Sequence, residues 1–122
     1  MASVFASLAF QWAAQKNRYP DQLTNGVQPH QTQKLYYQTA DFIFSGRPPI
    51  SLPPITTTID IGEHLETKIA AFEKHDTQQP LWSLFESNFR PRGNKEYFHL
   101  ASQSTFRTLG EIEHDLFEGI IE

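Results

Sequence analysis

Segments of strand composition alternate with segments of helical periodicity along this chain, which predicts an α/β fold rather than an all-α one. Lys34-Leu35-Tyr36-Tyr37-Gln38-Thr39 and Thr56-Thr57-Thr58-Ile59-Asp60-Ile61 are rich in β-branched and aromatic residues and read as strands. Leu65, Ile69 and Phe72 then recur at helical spacing, predicting a helix from about Glu63 to Gln78.

From the beginning of the chain, Val4, Phe5, Leu8 and Trp12 share one face of a helix over Met1 to Ala14, with Ser3, Ser7 and Gln11 forming a polar stripe on another. The segment lacks the basic start of a targeting signal and reads as an amphipathic helix packed on a core. Asn17, Tyr19-Pro20-Asp21, Asn25-Gly26 and Pro29 are turn residues, so Asn17 to Gln33 reads as a long connection. The first strand follows and ends near Asp41. Gly46-Arg47-Pro48-Pro49 and Pro53-Pro54 forbid a regular ladder because proline lacks the backbone donor, so a loop leads to the second strand. Gly62 or Asp60 is the expected N-cap of the main helix, with Glu63 and Glu66 near the positive end of its dipole. Pro80 ends that helix or opens another over Leu81 to Phe89, which Pro91 and Gly93 stop. Tyr97 to Ala101 reads as a third strand, and Ile112 to Ile121 as a short terminal helix or an extended tail.

A length of 122 residues suits one domain, taken as 1–122. Hydrophobic residues make up 39% and mean hydropathy is −0.48, which separates the chain from disordered and membrane-spanning classes. A chain of this size buries roughly two thirds of its extended surface on folding, and ten Phe, four Tyr and two Trp supply bulk for a core. The net charge of −4, with Lys and Arg scattered singly, offers no footprint for nucleic acid or an anionic membrane. No apolar run approaches the ~20 residues that span a bilayer. Absence of cysteine excludes a disulfide framework, a thiolate metal site and a Cys nucleophile, and leaves the cytoplasm as the default compartment.

Five histidines, His30, His64, His75, His99 and His114, fall in no H-x-x-x-H, H-x-H or H-E-x-x-H arrangement, so local spacing places no pair on one metal ion. On one helix His64 and His75 would return to nearly the same face but sit roughly 16 Å apart. Glu113-His114-Asp115 would point in different directions on a helix and reads as a solvated polar turn. His75 and Gln78, one turn apart at the end of the main helix, are candidate substrate contacts; the alternative is a helix end in which His75 favours the dipole. Neither a G-x-S-x-G nucleophile nor a phosphate-cradling glycine loop is present.

Several segments, in order, resemble the PIG-L/LmbE family of zinc-dependent deacetylases. Arg18-Tyr19-Pro20-Asp21-Gln22-Leu23, Gly26 and Lys34-Leu35-Tyr36-Tyr37 look like the stretch that follows that family's last zinc-binding histidine. Ile59-Asp60-Ile61, Lys68-Ile69-Ala70-Ala71 and His75-Asp76-Thr77-Gln78 are similar to its V-D-I…K-x-x-A…H-x-S-Q strand and helix. Glu96-Tyr97-Phe98 resembles its E-x-F, and Asp115-Leu116-Phe117-Glu118-Gly119-Ile120 its D-L-F-A-G-L close.

The resemblance implies the C-terminal portion of a Rossmann-like three-layer α/β fold, lacking the N-terminal strands. The implied chemistry is removal of an acetyl group from an N-acetylglucosamine-type substrate, with zinc polarising the carbonyl and acidifying water while a carboxylate acts as general base. The H-P-D-D-E and H-P-D-H or H-x-x-H motifs that supply those groups do not occur in this sequence. The expectation is therefore a chain without catalytic residues or a metal or cofactor of its own, whose substrate contacts are His75 and Gln78. Its expected partners are the N-terminal half of the same enzyme, or a second copy, with an acetylated amino sugar bound once completed. The alternative is a non-catalytic module that pairs with itself or a partner through unpaired sheet edges.

Overall fold

Three strands form the sheet around which the rest of the chain is arranged: β1 (Lys34–Thr39), β2 (Thr57–Asp60) and β3 (Lys95–Gln103). The computed structural model describes residues 2–43, 50–104 and 112–121. The strand order is β1-β3-β2 and both pairings are antiparallel, so the chain is mixed α/β as the alternation predicts. β3 is central and longer than the Tyr97 to Ala101 expected. Tyr36 faces Leu100, Tyr37 faces His99 and Thr39 faces Tyr97. The register shifts between Leu35 and Tyr36, which leaves Ala101 as the extra residue of a bulge. Asp60 pairs with Lys95 at the far end of β2.

Beyond β2 the chain adds one more backbone contact. Glu113 bridges to Thr57 in the parallel sense: its carbonyl accepts from Thr58 N–H at 2.9 Å, and its N–H donates to the Thr56 carbonyl at 3.0 Å. The terminal segment is thus neither a regular helix nor a free tail; it touches the sheet at Glu113 and then turns through residues 116–119.

Helix α1 (Ala2–Trp12) forms where the sequence places it, but neither of its faces is buried on a core. Ser7 meets the sheet, its Oγ bonding to the Tyr37 hydroxyl and giving its own proton to the Ser3 carbonyl at 2.9 Å, while Ser3 and Gln11 are exposed and Leu8 and Trp12 are half-buried. Val4 and Phe5, expected on the core, are 56% and 64% exposed, and no residue of α1 is buried. The connection from Asn17 to Gln33 contains a single helical turn, α2 (Pro20–Leu23), with Pro20 in its first position. Tyr19, which precedes it, has the left-handed backbone conformation at φ 52°. The Gly46-Arg47-Pro48-Pro49 loop lies outside the described residues, whereas Pro53 and Pro54 stand in irregular chain as expected.

The main helix is shorter than its periodicity suggests. Asp60 Oδ1 accepts from Gly62 N–H at 2.8 Å, fixing the turn into a 3-10 segment, Gly62–His64, from which α3 (Leu65–Glu73) continues. Its last turn tightens, with Lys74 N–H on the Ala71 carbonyl and His75 N–H on that of Phe72. His75 then leaves helical geometry at ψ 80°, and a separate 3-10 segment spans Asp76–Leu81. The expected helix to Gln78 is therefore two elements. The following apolar stretch comprises α4 (Trp82–Leu84), a π turn at Phe85–Phe89 and a 3-10 turn at Arg90–Arg92.

Among the described residues only two hydrophobic side chains are fully buried, Ile69 of α3 at 4% exposure and Phe85 at 6%. They anchor a column of rings in which Phe72 stacks on Phe85 at 4.2 Å, Trp82 and Phe89 lie 5.5 and 5.7 Å from Phe85, and Phe42 meets Phe89 edge-on. Gly93 is buried where a Cβ would come within 2.8 Å of both Leu65 Cδ1 and the Phe89 carbonyl, which explains glycine at that turn. The chain exposes 9375 Å², against roughly 6,700 Å² for a self-contained globular monomer of the same mass. The core sits between α3 and the Trp82–Phe89 stretch, and the other faces carry uncovered apolar groups.

Candidate functional site

The most enclosed charged group among the described residues is Glu113, which the sequence placed in a solvated turn. It is 1% exposed. Alternation along β1 puts Lys34 and Tyr36 on one face, and β2 brings Thr57, itself 0% exposed, to the same place. Lys34 Nζ donates to Glu113 Oε1 at 2.7 Å, and Oε2 accepts from the Tyr36 hydroxyl at 2.7 Å and from Thr57 Oγ1 at 2.8 Å. Lys34 also reaches the Tyr36 oxygen at 3.1 Å and the Glu118 carbonyl.

Burial alone would lift the Glu113 carboxyl, but the hydrogen bonds from Lys34, Tyr36 and Thr57 outweigh it and hold the group below its ordinary 4.5. Burial would lower Lys34, yet its bonds to Glu113 and Tyr36 hold it above 10.5. Tyr36 is raised above 10.0, by burial first and then by its bond to the carboxylate. The result is an ionised acid with both oxygens engaged and an ammonium whose donors are spent. Such a carboxylate is a weak proton acceptor, and nothing in the arrangement leaves a nucleophile free. The cluster ties Glu113 and its segment to the sheet. The signal for it in the sequence was the i, i+2 pair Lys34 and Tyr36 on a strand, a cation and a phenol on one face that required an acceptor.

A small cleft of about 70 Å³ opens at the other end of β1, where Asp41, Phe42, Lys68, Arg92, Glu96 and Tyr97 contribute to its walls. Two of its cations already have partners. Lys68 pairs with Glu96 at 3.1 Å, Arg92 lies over the Phe42 ring at 4.9 Å, and burial together with Asp41 raises the Tyr97 phenol above 10.0. A second, larger groove is lined by Phe5, Leu8, Ala9, Trp12 and Tyr19 on the outer side of α1, and it is apolar.

His75 and Gln78 are both exposed. They do not share a helix face, because the backbone breaks at His75; Gln78 N–H donates to the His75 carbonyl at 2.7 Å, and the pair forms one tight turn. Neither lines the cleft or the groove. The other histidines are equally dispersed. His99 Nδ1 meets the Pro54 carbonyl at 2.9 Å, and His64 stands in the 3-10 turn before α3. Among the described residues no group of three or more His, Asp or Glu side chains is placed to hold a metal ion, so the residues present do not fit the zinc centre that the family resemblance implies. No described helix is long and apolar enough to cross a membrane. Compared with protein-family models, curated proteins and solved structures, the chain matches none.

Proposed function

We propose that residues 1–122 are the C-terminal portion of a PIG-L/LmbE-like deacetylase domain and do not catalyse amide hydrolysis by themselves. In this reading the sheet and α3 are one side of a Rossmann-like three-layer fold, and the metal, the base and the activated water belong to the part that completes it. The observation that carries the reading is the uncovered surface. A chain with about 2,700 Å² more exposed area than a monomer of its mass, and a first helix that buries none of its residues, is incomplete as a packing unit. The order of the similar segments adds support: Lys34-Leu35-Tyr36-Tyr37 lies on β1, Ile59-Asp60 ends β2, Lys68-Ile69-Ala70-Ala71 lies within α3 and Glu96-Tyr97-Phe98 lies on β3.

His75 and Gln78 remain the proposed contacts for an acetylated amino sugar once the fold is completed. Their exposure leaves them open to one. The test is acetate release from N-acetylglucosamine derivatives by the purified chain with added zinc. The expected rate equals the blank, and robust turnover would sink the proposal. Genomic sequence upstream of Met1 supplies a second test, since an H-P-D-D-E coding segment there supports a split or continuous enzyme.

The second reading is a non-catalytic interaction module. The outer edge of β1 favours it, because no described residue bonds to its backbone.

A further inference from the structure

The two sides of the sheet are closed to different degrees. Beyond β2, Glu113 already bonds to Thr56 and Thr58. Beyond β1 the backbone has no partner among the described residues, and its polarity can be worked out. The Gln33 carbonyl accepts from Ser104 N–H at 2.9 Å, and across β3 the Phe98 carbonyl accepts from Thr56 N–H at 3.0 Å. Backbone groups alternate in direction along a strand. Leu35, Tyr37 and Thr39 therefore turn toward β3, whereas Lys34, Tyr36 and Gln38 present their N–H and C=O groups outward.

That edge lacks the usual guards against pairing. It contains no proline, and its single cation, Lys34, is folded in onto Glu113 with 5% of its side chain exposed. We infer that a second copy of this chain covers the edge, β1 pairing antiparallel with its counterpart about a two-fold axis at Tyr36. This rests on the interaction-module reading and names its partner.

Three observations select the second copy. An antiparallel ladder requires outward groups to face outward groups, and an axis at Tyr36 satisfies this by setting Tyr36 opposite Tyr36 and Lys34 opposite Gln38. No like charges meet, and Leu35 falls opposite Tyr37, an aliphatic and aromatic pair of the favourable kind. The excess exposed area, about 2,700 Å² on one chain, is more than the roughly 1,000–2,500 Å² that each chain of an obligate dimer hides, so it leaves room for such an interface. Finally, Tyr37 bonds to Ser7, so α1 lies over the face that Tyr37 presents. An axis perpendicular to the sheet preserves that face. Both copies of α1, with Val4 and Phe5 exposed, then stand on the same side of one joined sheet.

The test is the solution mass of the full chain by light scattering across a dilution series, with two variants at exposed Gln38. Gln38→Pro removes an outward donor without touching the ladder to β3, and Gln38→Lys sets a cation opposite Lys34. The expected mass is twice 14.0 kDa for the parent chain and 14.0 kDa for both variants, with circular dichroism unchanged. A parent chain that stays at 14.0 kDa at every concentration overturns the pairing and leaves the module reading only with a different partner. A dimer that both variants retain overturns the β1 seam and leaves the module reading standing. Open-ended assemblies overturn the two-fold arrangement.

Discussion

Replacing Glu113 by Gln keeps the size of the side chain and removes its charge, in a position where three donors converge. Oε1 accepts from Lys34 and Oε2 from both Tyr36 and Thr57. Glutamine has one accepting oxygen, so in either orientation its amide N–H₂ opposes at least one donor, and Lys34 keeps a charge that is nearly buried. Breaking a buried ion pair from one side costs about 3–5 kcal/mol. Because the volume and one acceptor survive, the expected loss is about 3 kcal/mol, a large share of the ~5–15 kcal/mol that holds a domain together. Urea unfolding at fixed protein concentration, followed by the fluorescence of Trp12 and Trp82, measures it. Lys34→Met combined with Glu113→Gln should cost less than the sum of the single changes by about 1 kcal/mol or more, since the stranded cation is then gone. A loss for Glu113→Gln below about 0.5 kcal/mol, the scatter of ordinary surface changes, would refute the reasoning.

The same cluster sets a pH dependence. The folded Glu113 carboxyl lies below 4.5, so its contribution is present above 4.5 and is lost as pH falls through the folded value; Lys34 lies above 10.5, so its contribution is present below 10.5 and is lost as pH rises through the folded value. Stability measured against pH should show both limbs, and Glu113→Gln should flatten the acid one. Phe85→Ala removes the ring on which Phe72, Trp82 and Phe89 stack, and should cost about 3–5 kcal/mol in the same urea assay. Gly93→Ala drives a Cβ into the Phe89 carbonyl and should cost about 1–3 kcal/mol by thermal melting. His75→Ala and Gln78→Ala, both exposed, should change stability by less than about 0.5 kcal/mol, so that any loss of sugar binding in a completed enzyme would report a contact rather than unfolding.

Strands were the most legible part of this sequence. Lys34–Thr39 appears with the bounds that its composition gives, and β2 differs from its reading only by losing a residue at each end. Those segments are short and β-branched or aromatic, and proline-containing chain limits β2 on one side. The main helix was legible at Leu65, Ile69 and Phe72 and not at its end, because the tightened turn at Lys74 and His75 is made by backbone groups, and the side chain that caps it, Gln79 donating to the Glu73 carbonyl at 3.1 Å, comes from beyond the expected end of the helix. The placing of α1 failed for another reason. Periodicity identifies an apolar face but does not say whether this chain contains anything to cover it, and here the contact is made through Ser7 and Tyr37. Glu113 was misread because the partners that bury it, Lys34 and Thr57, stand 79 and 56 residues away in the chain, beyond any local pattern.

That separation has a kinetic side. The unit from β2 through α3 to β3 is made of nearer neighbours and can assemble early, whereas closing the Lys34–Glu113 link requires ordering a loop of 79 residues, whose entropy resists the contact until most of the chain is in place. If docking of Glu113 follows the folding barrier, weakening it should leave the folding rate nearly unchanged while speeding unfolding, which stopped-flow refolding and unfolding of Glu113→Gln would measure. On that expectation the Glu113 segment works as a latch on lifetime, setting how long a folded molecule persists more than how quickly one forms.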